Sequence, residues 1–357
     1  IMNKSPLWVK KLNKWFDSEQ REMPWRSNPD PYYVWVSEMM LQQTQVVTVI
    51  PYFKRFIDKF PTVFDLAQAD QQTVLKQWEG LGYYSRARNL HKSAKLVSEQ
   101  YKGKVPNTYD TLLALPGIGP YIAAAVASIA YEVPVPVVDG NVLRVFSRFW
   151  GIFDDIRQNT VRNSLFDQLM PIIKTVKQPS QFNQAIMELG ALICTPKSPQ
   201  CICCPISANC YAQKHSKQSE LPYKSPAKAV PHYHIAVGLI RKGNRILIGK
   251  RKESQMLGGL WEFPGGKQQE KESLEATVLR EIKEETNLNV KLEKKITTVK
   301  HAYTHFKITL HAYECAYISG NAIPNTTDEI RWVPITQLKK FPFPKANNKI
   351  LQIYDKL

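Results

Sequence analysis

Apolar and polar residues alternate with a helical period over the first part of the chain. In Ser37–Ile50 the methionines, valines and Gln43 recur three or four positions apart, which predicts an amphipathic helix with a break or a new first turn at Pro51. Pro120–Ala130 predicts a helix of small residues, and Gly140–Trp150 predicts a helix with an apolar face of valines and phenylalanines. We therefore expect an all-α domain up to about residue 215.

The pattern changes after a segment rich in Lys, Ser and Pro. Residues 216–231 contain three prolines and few large apolar side chains, which is typical of a linker. Beyond it the period is two, with a turn at Lys242-Gly243-Asn244. We expect domains at 1–215 and 232–357, the second of them α+β. Its predicted strands lie at Ile235–Ile240, Arg245–Ile248 and near Val290–Val299 and Phe306–Tyr317, with a helix at Leu274–Thr286.

Composition narrows the class of protein without naming a function. The chain is 43% apolar and contains no run of about 20 apolar residues, the length that a membrane span needs. The stretch Ile1–Phe16 lacks the apolar core of a signal peptide, so we expect a cytoplasmic protein with no membrane partner. The net charge of +17 fits a phosphate-binding face or simply a basic, solvated surface, and charge alone does not decide between them.

Cysteine usage is more specific. Five of the six cysteines lie between Cys194 and Cys210, and disulfides are disfavoured in a reducing cytosol, so the cluster suggests a metal centre. Cys194, Cys201, Cys204 and Cys210 have the spacing C-x6-C-x2-C-x5-C, whereas Cys203 is predicted to be a spare thiol. Four thiolates can hold zinc or a cubane iron–sulfur cluster, but zinc ligands usually come as two separated close pairs.

A short turn and an aspartate precede the cysteines. In Leu115–Pro120, Gly117 and Gly119 allow a tight turn whose amides, at the start of the next helix, suit a phosphate. Such a turn on its own is more often only a turn. Asp139 follows about twenty residues later at the start of Gly140–Trp150, where an isolated aspartate would be interpreted as a helix N-cap.

Turn, aspartate and cysteine loop occur in the order found in helix-hairpin-helix DNA glycosylases, and the cysteine spacing resembles that of the endonuclease III and MutY glycosylases. The resemblance implies a hairpin that grips DNA without reading its sequence. It also implies a [4Fe–4S] cluster in the 194–210 loop, with a structural and DNA-docking role, on Cys194, Cys201, Cys204 and Cys210. Asp139 would stabilise an oxocarbenium-like sugar cation, as glycosidase carboxylates do, and Asn141 would orient it.

The residues around Glu38 narrow the resemblance to MutY. Relatives with lyase activity carry a lysine just after the hairpin, whereas this chain has Tyr121 near the same site, which implies a monofunctional glycosylase. Glu38 lies among valine, methionine and leucine, where burial would raise its pKa and suit a general acid; a solvated helical glutamate is equally compatible with the local sequence. In the MutY segment that this stretch resembles, the corresponding glutamate protonates adenine N7.

Other matches cover nearly the whole first domain. The resemblance gives Gln43 the role of a wedge in the base stack and Tyr83, in Gly80–Arg88, that of an intercalating residue. A pair of tyrosines is otherwise usually part of a core, but Arg86 after it makes a DNA-facing loop at least as compatible with the sequence. The remaining matches could equally be packing or capping residues: Trp25 and Arg26 at the entrance of an adenine pocket, and Gln184 in contact with the base.

The second domain contains an acidic motif. Gly266, Glu272 and the run Arg280–Glu285 match the Nudix box G-x5-E-x7-R-E-U-x-E-E, with Asn287 in place of the closing glycine. Helical spacing puts Glu281, Glu284 and Glu285 on one face, a candidate magnesium site or simply a solvated acidic face. MutY proteins end in a similar domain with an eroded box, so the intact box leaves hydrolysis of oxidised nucleoside triphosphates open. The segment His301–His305 resembles the MutY loop that contacts 8-oxoguanine through residues matching Tyr303, Thr304 and His305.

Together these patterns predict an all-α helix-hairpin-helix glycosylase domain with an iron–sulfur loop, followed by an α+β Nudix-like domain. The expected enzyme removes adenine mispaired with 8-oxoguanine or guanine from double-stranded DNA, a task that suits a monomer. The alternatives are a thymine or uracil mismatch glycosylase, a Nudix hydrolase with a DNA-binding appendage, and a non-catalytic lesion sensor. The basic, proline-rich linker is a candidate docking strip for a repair protein.

Overall fold

The computed structural model describes residues 5–226 and 229–355, which divide into two compact units. Within the described residues, the first unit contains 5–68 and 92–226, and the second contains 69–91 and 229–355. Residues 1–4, residues 227 and 228 of the expected linker, and residues 356 and 357 lie outside the described residues.

The first unit is helical. Its core forms because the apolar faces of its amphipathic helices turn inward, as Leu12, Phe146, Leu165 and Phe182 show by their complete or nearly complete burial. None of the helices in the described part of the chain has the length and apolar run that a membrane crossing requires. In chain order the helices are α1 Leu7–Glu19, α2 Pro24–Ser27, α3 Pro31–Leu41, α4 Val46–Lys59, α5 Val63–Gln68, α6 Gln71–Trp78, α7 Ser85–Gln100, α8 Tyr109–Leu113, α9 Pro120–Tyr131, α10 Gly140–Trp150, α11 Asn159–Ile173, α12 Pro179–Leu192 and α13 Tyr211–Lys214; α6 and the start of α7 belong to the second unit.

The helix predicted over Ser37–Ile50 is wrong as a single element. The chain leaves α3 at Leu41, turns at Gln43 with a left-handed φ of 56°, and starts α4 at Val46. Pro51 does not break α4 but lies inside it. A proline leaves the carbonyl four residues earlier without its usual donor, and that residue is Val47, which is 74% exposed, so water can satisfy it. The predictions for α9 and α10 are confirmed, the latter to the residue.

The second unit is built on a mixed sheet. The strand order is β3-β2-β1-β6-β5, with β4 paired to β1 and β7 paired to β2, and β1 runs parallel to β6. Side chains of opposite faces alternate along β1: Ala236 and Ile240 pack with one helix, and Val237 packs with the other. The elements are β1 His232–Lys242, β2 Arg245–Lys250, β3 Trp261–Glu262, β4 Gly265–Lys267, α14 Leu274–Thr286, β5 Asn289–Ala302, β6 Lys307–Ser319, β7 Glu329–Pro334 and α15 Lys345–Tyr354.

Residues 69–91 pack with this sheet unit, although the sequence-based boundary assigned them to the first domain. The Trp261 indole donates to Gln72 Oε1 at 2.9 Å. Glu79 Oε1 accepts from the Phe343 amide at 2.9 Å and from Asn348 Nδ2 at 2.8 Å. These pairs join residues more than 180 positions apart, so no local pattern could have indicated them.

We expect Glu79→Ala to loosen the chain around Phe343. The substitution removes the acceptor of the Phe343 amide, a loss of about 1–3 kcal/mol, and leaves the Asn348 amide with only the Phe343 carbonyl at 3.3 Å. Hydrogen-exchange protection of the peptide containing Phe343 should therefore fall roughly tenfold or more. Glu79→Gln keeps an acceptor oxygen and should retain most of the protection; equal loss in both variants would contradict the explanation.

Candidate functional site

A cleft of about 700 Å³ in the first unit gathers most of the residues that the sequence singled out there. The elements that shape it are α3, α9, the start of α10 and α12, which present their polar side chains to the cleft against an otherwise apolar core. The sequence-predicted residues that line it are Trp25, Arg26, Glu38, Gln43, Tyr121, Asp139, Asn141 and Gln184.

Glu38 lies on α3 and is only 4% exposed. The Tyr121 hydroxyl donates to Glu38 Oε2. Burial raises the pKa of Glu38 to about 7, the Tyr121 hydrogen bond opposes that rise, and the charge of Asp139 adds to it. A carboxyl group with such a pKa is half protonated near neutral pH, which is the condition for a general acid.

Asp139 is the N-cap of α10. Its Oδ1 accepts from the Val142 amide at 2.7 Å, and its Oδ2 accepts from Asn141 Nδ2 at 2.8 Å. Burial raises the pKa of Asp139, while these donors and the Arg144 guanidinium act in the opposite direction. The capping role is compatible with the functional one, because the carboxylate that caps the helix also faces the cleft.

The sequence analysis missed two residues that hold this cleft together. Arg144 donates to Asn141 Oδ1 at 2.8 Å, to the Gly190 carbonyl at 2.7 Å and to the Cys194 carbonyl at 2.8 Å. Its only sequence signal is its position one helical turn after Asn141. Arg144 thus connects the partner of Asp139 to α12 and to the first residue of the cysteine loop.

The second missed residue is Glu188, which is 2% exposed on α12. Burial opposes its ionisation, but hydrogen bonds from Arg21 and Arg26 prevail and lower the pKa of Glu188 to about 2. Arg26 also donates to Gln184 Oε1 at 2.9 Å, so this carboxylate fixes two of the predicted pocket residues. Its signal in the sequence is the spacing of four from Gln184, which places both on one helix face.

Trp25 and Gln43 complete the wall of the cleft in different ways. Trp25 is 5% exposed and packs edge-on against Phe53 at 5.1 Å between ring centroids, so it is a packing residue as well as a lining residue. Gln43 is exposed in the turn between α3 and α4, and its left-handed backbone is uncommon for a residue with a side chain. Such conformations are concentrated at functional sites.

The four cysteines of the C-x6-C-x2-C-x5-C pattern line a common small cavity of about 30 Å³. Arg148, which is 2% exposed, donates to Cys194 Sγ at 3.4 Å and to the Thr195 carbonyl at 2.7 Å. Burial raises the pKa of Cys204 to about 12 and raises that of Cys210. Among the described residues, no three His, Cys, Asp or Glu side chains are arranged to hold a metal ion, although these thiols share one cavity. Cys203 is exposed and does not line the cavity, consistent with its prediction as a spare thiol.

The predicted hairpin connects α8 and α9. Gly117 has a φ of 75°, which side chains rarely adopt, so the turn requires glycine there. Gly119 has a φ of −92° and is the N-cap of α9, so its backbone does not require glycine. A Cβ at Gly119 would meet no atom within 4 Å, and the open space lies at the start of a 12-residue helix. That is the geometry at which a phosphate can approach backbone amides.

In the second unit, a pocket of about 570 Å³ contains the residues predicted to contact a damaged base. Tyr83 is 41% exposed with a φ of 48°, and its hydroxyl contacts the Thr304 hydroxyl. Thr304 and His305 are exposed at the turn between β5 and β6. Tyr303 instead packs on Phe306 at 4.9 Å between centroids, as part of the core below the turn.

Arg86 is a correction to the sequence-based prediction of a DNA-facing residue. It is 6% exposed, and its guanidinium donates to the Gly82 carbonyl at 3.1 Å and lies over the rings of Trp78 and Tyr83. Burial lowers the pKa of Arg86 to about 10. Arg86 therefore supports the loop that presents Tyr83, because its guanidinium binds the Gly82 carbonyl and the rings of Trp78 and Tyr83.

The acids of the Nudix-type motif are already engaged by protein groups. Arg280 donates to Glu272 at 2.8 Å, to Glu281 at 2.9 Å and to Glu284 at 3.2 Å. Glu285 Oε2 accepts from the Gly265 amide at 2.9 Å, and burial raises its pKa to about 7. Arg280 shares one positive charge among three carboxylates, so the motif keeps a net negative charge, and the magnesium site stays a prediction.

Comparisons with known proteins agree with this architecture. Residues 36–169 match the model of the HhH-GPD superfamily base excision DNA repair proteins, and residues 236–352 match that of the NUDIX domain. A thermostable thymine-DNA glycosylase is structurally similar, with a TM-score of 0.53 and 26% identity over 58% of this chain and 96% of that one. An endonuclease III–DNA covalent intermediate has a TM-score of 0.50 and 27% identity over 58% of this chain and 94% of that one. Fold and cleft thus define a base excision repair glycosylase joined to a NUDIX domain.

Whole-chain relatives narrow that class. An adenine DNA glycosylase of Buchnera aphidicola subsp. Schizaphis graminum is 33% identical over 96% of this chain and 97% of its own length. The adenine DNA glycosylase of Rattus norvegicus is 34% identical over 96% of this chain and 77% of its own length. The chain belongs to the adenine DNA glycosylase family.

We expect the carboxyl group of Glu38 to titrate near pH 7 in the folded protein. Because the Tyr121 hydrogen bond lowers the pKa of Glu38, Tyr121→Phe should raise it further. Infrared difference spectra of the carboxyl stretch, assigned with Glu38→Gln, would measure both values. The argument from burial fails if Glu38 in the wild-type protein titrates like a solvated glutamate, near pH 4.3.

Proposed function

We propose that this protein is a monofunctional glycosylase that hydrolyses the bond between adenine and deoxyribose where adenine is mispaired with 8-oxoguanine or guanine in double-stranded DNA. The observation that carries the proposal is that one cleft contains both Glu38, which can be protonated near neutral pH, and the Asp139 carboxylate, which caps α10. Cleavage of an N-glycosidic bond needs an acid for the leaving base and a negative charge beside the sugar cation.

Glu38 is the acid for the leaving base. Tyr121 donates to one of its oxygens, which leaves the other free to carry a proton toward a base in the cleft. The proton moves from Glu38 to adenine N7, the base leaves with the electron pair of the glycosidic bond, and Glu38 becomes a carboxylate.

Asp139 stabilises the positive charge that develops at C1′ of the sugar. The Val142 amide and the Asn141 side chain hold its carboxylate in one orientation, so little rearrangement is needed as the charge forms. Water then adds to C1′ and its proton returns to a carboxylate of the cleft, which yields free adenine and an abasic sugar. Tyr121 occupies the place of the lyase lysine, so the product strand should stay intact until alkali is added.

The cysteine loop fits a [4Fe–4S] cluster better than a single zinc ion. The four thiols line one cavity, and their sequence spacing of one separate cysteine followed by three differs from the two close pairs that are usual for zinc. Cys194, Cys201, Cys204 and Cys210 would hold it, with Arg148 donating a hydrogen bond to Cys194 Sγ. When bound, the cluster supplies structural support for the loop that follows α12.

Recognition of the DNA is divided among several elements. The hairpin at Gly117 and Gly119 fits a backbone phosphate, and the net charge of +17 favours association with DNA. In the second unit, Tyr83 and the Thr304–His305 turn share a pocket that would receive the oxidised guanine. We propose a monomer acting inside the cell on chromosomal DNA, with the basic linker available to a repair-protein partner.

The first test is adenine release from a duplex with one 8-oxoguanine:adenine pair, with enzyme in excess. Wild type should release adenine and leave an alkali-labile site, whereas Asp139→Asn should be slower by roughly a hundredfold or more, because it removes the charge opposite the sugar cation. The same duplex with guanine:thymine or guanine:uracil is the matched control. Faster release of thymine or uracil than of adenine would replace the adenine assignment, and no release with confirmed binding would refute it.

The rate should also depend on the protonation of Glu38. Its pKa of about 7 means that the acid form dominates below that pH and is lost above it. The single-turnover rate constant should therefore fall about tenfold per pH unit on the alkaline side. Tyr121→Phe should move this decline to higher pH. A flat profile between pH 6 and 9 would show that Glu38 is not the acid.

A further inference from the structure

A pair of exposed lysines lies at the start of α15, outside every role assigned so far. Lys345 and Lys349 are four residues apart, so they project from the same face of the helix. Both line a surface groove of about 420 Å³. Two further lysines, Lys76 and Lys339, also line this groove.

The two pairs of lysines differ in their partners. Lys339 forms an ion pair with Asp355 at 2.6 Å, and Lys76 forms one with Glu79. Across residues 5–226 and 229–355, neither Lys345 nor Lys349 forms an ion pair with a carboxylate. Two ammonium groups without a carboxylate on one helix face repel each other, and an anion between them would remove that repulsion.

The groove continues into the pocket of the Thr304 turn. Lys345 lines both of them, and so does Gly80 in the loop that presents Tyr83. Burial lowers the pKa of His301, and the charges of Lys349 and Lys345 lower it further, so their field reaches the base of that turn. α15 also begins at Lys345 without a side-chain cap, which adds the positive end of a helix dipole.

We propose that Lys345 and Lys349 bind backbone phosphates of the DNA strand whose base enters the Tyr83–Thr304 pocket. The inference rests on the proposed function, because it assigns that pocket to the oxidised strand. Lysine side chains are long point charges that suit phosphates and read no sequence. The site therefore contributes affinity and register, while the exposed Thr304 turn contacts the base.

The test is the salt dependence of binding. The probe is a duplex with 8-oxoguanine opposite 2′-fluoro-2′-deoxyadenosine, which resists cleavage, measured by fluorescence anisotropy between 50 and 200 mM salt. The slope of log K against log salt concentration is negative, and each lost phosphate contact lowers its magnitude by about 0.9. Lys345→Gln with Lys349→Gln should lower it by roughly 1.8, and by as much on the undamaged duplex.

Two matched variants separate the site from general charge. Lys291→Gln with Lys294→Gln removes the same number of charges at the other end of β5, away from the His301–Ile308 pair. Both of these lysines form ion pairs, with Glu293 at 3.3 Å and with Glu314 at 3.4 Å, so their loss should leave the slope unchanged. Lys345→Arg with Lys349→Arg keeps both charges and should keep the wild-type slope. An unchanged slope in the glutamine variant, or an equal loss in the arginine variant, would overturn the proposal, as would a loss confined to the damaged duplex.

Adenine release distinguishes this inference from the function on which it rests. Adenine release is therefore measured with the wild-type protein on the 8-oxoguanine:adenine duplex, so that the proposed function is tested independently of the lysine variants. If the wild type releases adenine and the slope does not change, only the phosphate site is refuted. If the wild type releases none, the proposed function fails, whatever the slope.

Discussion

The hydrogen-bonded carboxylate of Asp139 is the constraint around which the first unit is organised. The Asp139 backbone is extended, and its side-chain oxygens accept from the Val142 amide and the Asn141 side chain, which caps α10. Arg144 extends this contact to the carbonyl groups of Gly190 and Cys194. Gly190 permits the approach, since a Cβ there would lie 2.6 Å from that of Asn141. The cap of α10, the approach of α12 and the start of the cysteine loop are thus joined by one chain of hydrogen bonds through Asp139, Asn141 and Arg144.

Two buried glutamates that line the same cleft have pKa values shifted in opposite directions, because their partners differ. Glu38 has a tyrosine hydroxyl as its close partner, so burial prevails and the pKa rises to about 7. Glu188 has two guanidinium groups, and its pKa falls to about 2. The first glutamate can therefore exchange a proton near neutral pH, while the second remains an anion that fixes Arg26 and, through it, Gln184. Separation of protonation states by environment allows carboxyl groups in one cleft to take different roles.

In the second unit, the acidic motif and the pocket of the Thr304 turn are formed by different residues. The acidic motif matches position by position, and within the protein Arg280 pairs with Glu281 and Glu284 while Glu285 accepts from the Gly265 amide. The Thr304 turn instead lies beside residues 80–88, which come from the part of the chain that carries the helical motifs. The polar contacts of Glu79 and Gln72 bind this segment to the sheet unit, so its loop and the turn share a pocket.

Local patterns in the sequence determined the elements and the chemistry of this protein. The apolar period and the cap at Asp139 define α10 to the residue, and the period of two places β1 and β2 around the Gly243 turn. Features that depend on residues far apart in the sequence were decided by tertiary packing. It broke the predicted 37–50 helix at Gln43, turned Arg86 inward onto Trp78, and joined residues 69–91 to the sheet unit. Periodicity and capping are short-range and appear in neighbouring letters, whereas burial and the pairing of distant polar groups depend on which surfaces meet.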